Sequence, residues 1–364
     1  MEFYRVRDYS DALFKRAYHK KAYLTLQKRI KNIAVYKSGG GLGDLVHSVP
    51  LFRSFKKMFP QAKIIYLGLY QRPTCDLIFR TIPYIDEYIH YESPKKKRDF
   101  KTYFSFLRRF FRKFDLIVDT QRKFLPSFYI WLLMPKHFLS INPLFSCWRF
   151  YYKRKVHITA RLLSLTRILG FGEVNFGPEF NIPPESLSIA KKFLNDFEGP
   201  FISIIPGAGN PYKSWGEEKF ALLSDNLSKM GYKTILIGNE SEKKLLHKIK
   251  GKMTFEPIIP LLKDARFGED PVYSLGILKF SSLTIGNDCG GLHLATLAEC
   301  PVIGIYGPTN PLKSGPLGKN NVVLYKNLPC SPCKLKSCPI DRKCLKSITV
   351  NEVVETVRFI LEKP

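Results

Sequence analysis

The stretch LTIGNDCGGLHLATLAECPVIGIYGPTNP, Leu283 to Pro311, sets the tightest limit on what this chain can fold into. A short apolar run (Leu283 to Ile285) leads into a turn in which Asn and Asp lie between glycines (Gly286 to Gly291). Helical spacing with good helix formers follows from Leu292 to Glu299, then a second apolar run from Pro301 to Tyr306. The pattern is strand, turn, helix, strand. Glycines just ahead of the helix leave backbone N–H groups and the positive end of the helix dipole facing the crevice at the strand ends, which suits a phosphate or diphosphate. A carboxylate at that mouth repels phosphate unless it caps the helix or holds a nearby amide, hydroxyl or lysine, so Asp288 requires a partner. His293, on the first helical turn, is placed to reach an anion. An N-capping aspartate and a satisfied core or surface histidine fit the same pattern.

The same grammar opens the chain. Asn32 to Tyr36 is an apolar strand, followed by KSGGGLGD (Lys37 to Asp44), a helical pattern from Leu45 to Phe59 stopped by Pro60, and a strand from Lys63 to Leu69. The glycine spacing is not that of a dinucleotide fingerprint, because Asp44 occupies the last glycine position counted from Gly39, and no Gly-Lys-Ser/Thr makes it a P-loop. Asp44 opens a helix at the C-terminal end of a strand, where open α/β sheets bind ligands; both an N-cap and a catalytic base fit there. From Phe100 to Lys113, Phe104, Leu107 and Phe111 share a helical stripe that predicts a core-facing helix with a basic outer face, ahead of a strand from Phe114 to Asp119. Between Met134 and Pro184 the strand signal lapses, with a helix expected only over Val156 to Leu169. Gly177, Pro178, Pro183 and Pro184 mark a linker.

Beyond it the alternation resumes. Phe201 to Ile205 is a strand, PGAGNPYKSW (Pro206 to Trp215) a long loop, Glu217 to Met230 a helix and Lys233 to Ile237 a strand. GNESEKK (Gly238 to Lys244) leads to another helix, and Asp270 to Phe280 is helical. Two β-α repeat halves predict an α/β protein of two doubly wound Rossmann-like domains facing each other across a cleft. The expected boundaries are a basic extension at 1–31, a first domain at 32–175, a second at 176–345 and a C-terminal helix at 346–364.

Charge separates the halves. The net charge is +27, and residues 1–175 hold 34 Lys+Arg against 12 Asp+Glu, leaving a balance of only +5 for the remainder. An anionic polymer or surface is the expected partner of the first half. Lys15, Arg16, Lys20 and Lys21 in the extension, and Lys95, Lys96, Lys97 and Arg98 in a loop, are the candidates for membrane contact, since no apolar periodicity buries them. No RNA- or DNA-binding motif accompanies the charge, which argues against nucleic acid, although a non-catalytic or nucleic-acid-binding module remains the competing class. No run of about 18 apolar residues is present, and the N-terminus lacks an apolar segment with a small-residue cleavage site, so a cytoplasmic protein is expected. Cys330, Cys333, Cys338 and Cys344 form CSPCKLKSCPIDRKC, open between a structural metal, reduced thiols and one labile disulfide.

Taken together, GLGDLVHSVPLFRSFKKMFPQAKI (Gly41 to Ile64), PGAGNPYKSW and IGNDCGGLHLATLAECPVIGIYGPTNP resemble glycosyltransferase family 9, the ADP-heptose:lipopolysaccharide heptosyltransferases, in order and spacing from about Asn32 onward. The resemblance implies a GT-B fold and metal-independent, inverting transfer of a sugar from a nucleotide diphosphate, with no cofactor required. The implied donor is ADP-L-glycero-D-manno-heptose or a similar nucleotide sugar. The implied acceptor is the lipopolysaccharide core on lipid A, reached from the inner face of the inner membrane by a peripheral enzyme. It implies Asp44 as base and Lys213 as the lysine that contacts the donor phosphates. Gly207, Asp288, Cys289, Gly290, Gly291 and His293 fall in donor-binding turns, and Glu242 or Glu240 matches an acid that holds the nucleoside. Cys289 stands where the family has Ser or Thr, and Gly291 where proline is common; a hydroxyl contact to phosphate is thereby exchanged for a weak thiol donor.

Overall fold

The computed structural model describes residues 3–4, 29–38, 40–69, 77–79, 81–91, 100–142, 144–147, 156–169, 180–318, 320–333, 335 and 337–362. The chain forms two compact units, one of Tyr9–Phe176 and one of Gly177–Pro364 joined by Met1–Asp8. The first strand, β1 (Phe3–Tyr4), therefore belongs with the C-terminal half, where it pairs antiparallel with a strand more than three hundred residues later. The first residues of the expected extension are thus part of a sheet; Lys15, Arg16, Lys20, Lys21 and the Lys95–Arg98 cluster lie outside the described residues.

The N-terminal unit carries, in chain order, β2 (Asn32–Ser38), α1 (Leu42–Val46), α2 (Val49–Met58), β3 (Lys63–Leu69), β4 (Glu87–Tyr91), α3 (Phe100–Phe110), β5 (Leu116–Asp119), α4 (Phe124–Trp131), β6 (His137–Ser140) and α5 (Ile158–Ile168). Its five strands are all parallel, in the order β4-β3-β2-β5-β6. Central strands buried on both faces are largely apolar, as in β5, where Leu116, Ile117 and Val118 lead into Asp119 and all four residues are buried. Ala34, Tyr36, Leu67, Ile117 and Ile130 meet in one core cluster.

Three expectations change here. The helix predicted over Leu45 to Phe59 is two helices, because Pro50 has no N–H to continue an existing ladder but suits the first turn of a new one, so the chain restarts at Val49. The stripe Phe104, Leu107, Phe111 does not face the core: Phe104 and Phe111 are 70% and 48% exposed, and Phe106 is the buried aromatic, with Leu107 and Phe110 packed partly against it. A helix with aromatics on every side gives two stripes of similar strength. A fifth strand, β6, stands where the strand signal lapsed; its four residues are held by β5.

The C-terminal unit contains α6 (Pro184–Leu194), β7 (Phe201–Ile205), α7 (Glu217–Lys229), β8 (Lys233–Leu236), α8 (Lys243–Lys250), α9 (Pro271–Lys279), β9 (Ser281–Asn287), α10 (Gly290–Leu297), β10 (Val302–Tyr306), β11 (Val322–Tyr325) and α11 (Val350–Leu361). The sheet order is β1-β11-β10-β9-β7-β8, parallel throughout except for β1. Helix α11 starts with a reciprocal cap between Thr349 and Glu352 and buries Val353 and Val357 in the core that also encloses Trp215. In both units the connections run in opposite directions from neighbouring central strands, between β2 and β5 in one and between β7 and β9 in the other. Doubly wound sheets bind ligands at such switch points, beyond the carboxyl ends of the strands.

Candidate active site

At the C-terminal switch point, β7 ends at Ile205 and β9 at Asn287. Glycine lets them converge: a Cβ on Gly286 would lie 2.7 Å from the Ile205 carbonyl oxygen, and one on Gly291 would lie 3.1 Å from the Ile205 side chain. Asn287 is fully buried and ties three segments together. Its amide nitrogen donates to the Pro206 carbonyl at 2.7 Å, and its amide oxygen accepts from the Trp215 backbone N–H at 3.0 Å. Trp215 is anchored in turn through its indole N–H, which donates to the Ile348 carbonyl at 2.9 Å.

That scaffold positions Lys213, at the end of a short 3-10 turn (Pro211–Lys213) capped by Asn210. The Lys213 Nζ donates to Asp288 Oδ2 at 2.6 Å, and the Thr309 hydroxyl donates to the same oxygen at 2.5 Å. Asp288 is buried and Lys213 partly exposed. Asp288 is thus not the helix cap: Cys289 occupies that position, in extended backbone, and Gly290 and Gly291 form the first turn of α10. The carboxylate beside the glycine turn holds a lysine and a hydroxyl. Its proximity, after burial, raises the Tyr306 phenol well above its ordinary value. Burial pushes the Cys289 thiol up to about 12, so it stands at the helix entrance as a neutral group. His293, on the same turn, is buried.

The two candidate acids separate clearly. Glu240 is exposed and pairs with Lys243. Glu242 turns inward, accepting from the Asn239 backbone N–H at 3.0 Å, and burial raises its carboxyl above the ordinary range. It lies against Gly207 so closely that a Cβ on that glycine would be 1.9 Å from Glu242 Oε1. Gly207, Lys213, Glu242, Asp288, Cys289, Gly290, Gly291 and His293 are therefore brought together around the ends of β7 and β9, and Glu240 is not. Asn287 and Thr309 complete the group and were absent from the sequence reading.

Asp44 belongs to the other unit. It lies on the first turn of α1 at the end of the central strand β2, where its carboxylate accepts from the Gly41 N–H at 3.2 Å and its carbonyl accepts from the Lys37 ammonium. Gly40 adopts φ +111°, open to glycine, and a side chain there would press on Asp44. Across the same switch point, at the end of β5, Asp119 is fully buried. It accepts from the Ser140 hydroxyl at 2.6 Å and the Gln121 N–H at 2.8 Å, and burial raises its pKa to about 6.

Cys330, Cys333, Cys338 and Cys344 are free thiols, and among the described residues no three His, Cys, Asp or Glu side chains are arranged as metal ligands. The segment braces the Lys213 loop. Arg342 donates to the carbonyls of Pro211 and Ser214, and Cys333 N–H donates to the Pro308 carbonyl.

The family model for glycosyltransferase family 9 (heptosyltransferase) matches residues 111–343. Lipooligosaccharide heptosyltransferase 2 of Campylobacter jejuni is 23% identical over 331 residues, spanning 87% of this chain and 95% of that protein. The glycosyl transferase family 9 structure from Veillonella parvula superposes with a TM-score of 0.74 at 21% identity, covering 92% of this chain and 98% of its own. An E. coli heptosyltransferase solved with ADP-2-deoxy-2-fluoro heptose gives a TM-score of 0.65 at 18% identity, covering 90% and 99%. The fold is of the GT-B type.

Proposed function

Since the chain belongs to glycosyltransferase family 9, we propose that it is an inverting, metal-independent transferase that moves a heptose from an ADP-sugar to the lipopolysaccharide inner core at the cytoplasmic face of the inner membrane. The observation that carries the reading is the Lys213–Asp288–Thr309 cluster beside the first turn of α10, at the sheet's switch point. A helix N-terminus and an ammonium held at 2.6 Å from a carboxylate form a mount for a diphosphate. Glu242, against Gly207, is the acid suited to the nucleoside hydroxyls. In E. coli a relative of this fold was solved with ADP-2-deoxy-2-fluoro heptose, which supports an ADP-linked donor.

The reaction needs one group to take the proton of the acceptor hydroxyl while that oxygen bonds to the anomeric carbon and the bond to the diphosphate breaks from the opposite side. Asp44, half-buried at the end of β2, is assigned as the base. Lys213 and the α10 N-terminus neutralise the departing ADP. The first unit is the acceptor side and the second the donor side. Asp44→Asn tests the assignment: turnover should fall by about 10² to 10⁴, while ADP affinity measured by calorimetry stays unchanged because Asp44 is outside the donor unit. A variant that keeps most of its rate leaves Asp44 with a structural task in the turn and removes it as base.

A further inference from the structure

Helix α4 reads FLPSFYIW, eight residues without a charge, yet only Ser127 and Ile130 are buried. Phe124 is 52% exposed, Leu125 58% and Trp131 38%. An apolar helix is expected to be covered on all sides, and this one is covered on a single stripe. Its outer aromatics form one continuous surface. Phe124, Phe128 and Trp131 each contact Phe145, with ring centroids 5.1 to 6.2 Å apart, and the neighbouring Leu144 is 76% exposed.

The surroundings of this surface are cationic. Arg122 and Lys123 precede the helix, and the Arg112 N–H donates to the Leu133 carbonyl, which brings Arg112 and Lys113 to its far end. Between residues 100 and 147 the only acids are Asp115 and Asp119. Both are buried: Asp115 is held by Lys136 and the backbone N–H groups of Lys31 and Asn32, and Asp119 by Ser140 and Gln121. No helix among the described residues is long and apolar enough to cross a membrane.

We propose that the outer face of α4, with Phe145 and Leu144, is a docking surface for an anionic phospholipid bilayer, its aromatic side chains entering the headgroup region while Arg112, Lys113, Arg122 and Lys123 contact lipid phosphates. Tryptophan and tyrosine favour that interface, and basic residues beside an apolar face bind anionic lipid. A second copy of the chain is the poorer occupant, because two such faces brought together set arginine and lysine against each other. The proposal rests on the membrane-facing reading given above, but at residues other than the charge clusters of the sequence.

The test uses the full chain with vesicles of phosphatidylethanolamine and phosphatidylglycerol, and with phosphatidylcholine vesicles as the neutral control. Co-sedimentation should show binding to the anionic vesicles at least about tenfold tighter than to the neutral ones. Phe124→Ser/Leu125→Ser/Trp131→Ser and, separately, Arg122→Glu/Lys123→Glu should each weaken anionic binding by about tenfold or more, with ADP affinity unchanged as proof of an intact donor unit. Anionic binding by both variants equal to that of the wild type overturns the proposal. So does a wild-type dimer in sedimentation velocity that the triple substitution converts to monomer without any vesicle binding. Heptose transfer to a delipidated acceptor is measured in parallel: its absence in the wild type refutes the enzymatic reading alone, and vesicle binding refutes or supports the docking surface alone.

Discussion

The ion pair at the proposed donor site makes an unusual prediction, because its two members would act on a bound diphosphate with opposite sign. Lys213→Ala removes a charge-assisted contact to phosphate, an effect of about 1.5 to 3 kcal/mol. It also leaves Asp288, buried and still accepting from the Thr309 hydroxyl at 2.5 Å, facing the phosphates without its cation. Like charges about 6 Å apart repel by roughly 3 kcal/mol at an effective dielectric near 20. Solvent at the lysine position, whose side chain is 28% exposed, reduces that to about 1 kcal/mol. The single variant should therefore lose roughly 2.5 to 4 kcal/mol of ADP affinity, about seventy- to nine-hundredfold in Kd. Asp288→Asn added to it removes the repulsion, so the double variant should bind ADP about fivefold more tightly than Lys213→Ala alone. Calorimetric titration with ADP on wild type, both single variants and the double variant gives the complete cycle. A double variant no better than Lys213→Ala would show that the carboxylate does not act on the ligand, and wild-type affinity in Lys213→Ala would remove the lysine from the site.

Two further outcomes follow from burial. Asp119 is raised from an ordinary 3.8 to about 6, so the folded chain holds this proton more tightly than the unfolded one; its stabilising contribution is complete below pH 4 and is lost as pH rises through 6, by about 3 kcal/mol in all. Chemical denaturation of Asp119→Asn from pH 4 to 7.5 should lack that decline, and an unchanged slope would assign the pH dependence to another group. Gly207→Ala places a methyl where Glu242 Oε1 now lies, and since the far end of a side chain can move, the melting temperature should change little while ADP affinity falls severalfold; equal affinity would detach Glu242 from the nucleoside.

What could be read beforehand divides along a physical line. The strands β2, β7, β9 and β10 were legible because a parallel strand covered on both faces is largely apolar, and the glycines that open α10 because close approach to the end of β7 leaves little choice. The four residues of β6 carried too little pattern, since β5 rather than local propensity holds them. In α3 and just beyond its end, the aromatics Phe104, Phe106, Phe110 and Phe111 permit two faces, and only the tertiary core selects between them. The partners of Asp288 lie 75 and 21 residues away in sequence, at Lys213 and Thr309, beyond the reach of any local rule. Glu242 could have been preferred to Glu240, because Asn239 followed three residues later by glutamate is a capping-box signature that turns the second acid back toward the turn.

The carboxylate that at first looks misplaced beside a diphosphate also bears on turnover. A site with an uncompensated lysine would hold ADP, whose terminal phosphate carries more charge than the sugar-linked donor, at least as tightly as it holds substrate, and tight product binding slows release. Asp288 already pairs with the Lys213 ammonium at 2.6 Å, so a phosphate in the proposed donor site must compete with that ion pair in the ground state. In the proposed reaction, charge grows on the diphosphate as its bond to the sugar breaks and draws the ammonium further toward it, which makes the interaction stronger at the transition state than in the initial complex. Only such differential interaction raises the rate. Thr309, donating to the same carboxylate oxygen, keeps Asp288 satisfied as the lysine shifts, which removes the penalty of leaving a buried charge alone. The proposed donor site is thus a balanced pair with a hydroxyl in reserve, and the expected response to added negative charge sets it apart from a simple positive pocket.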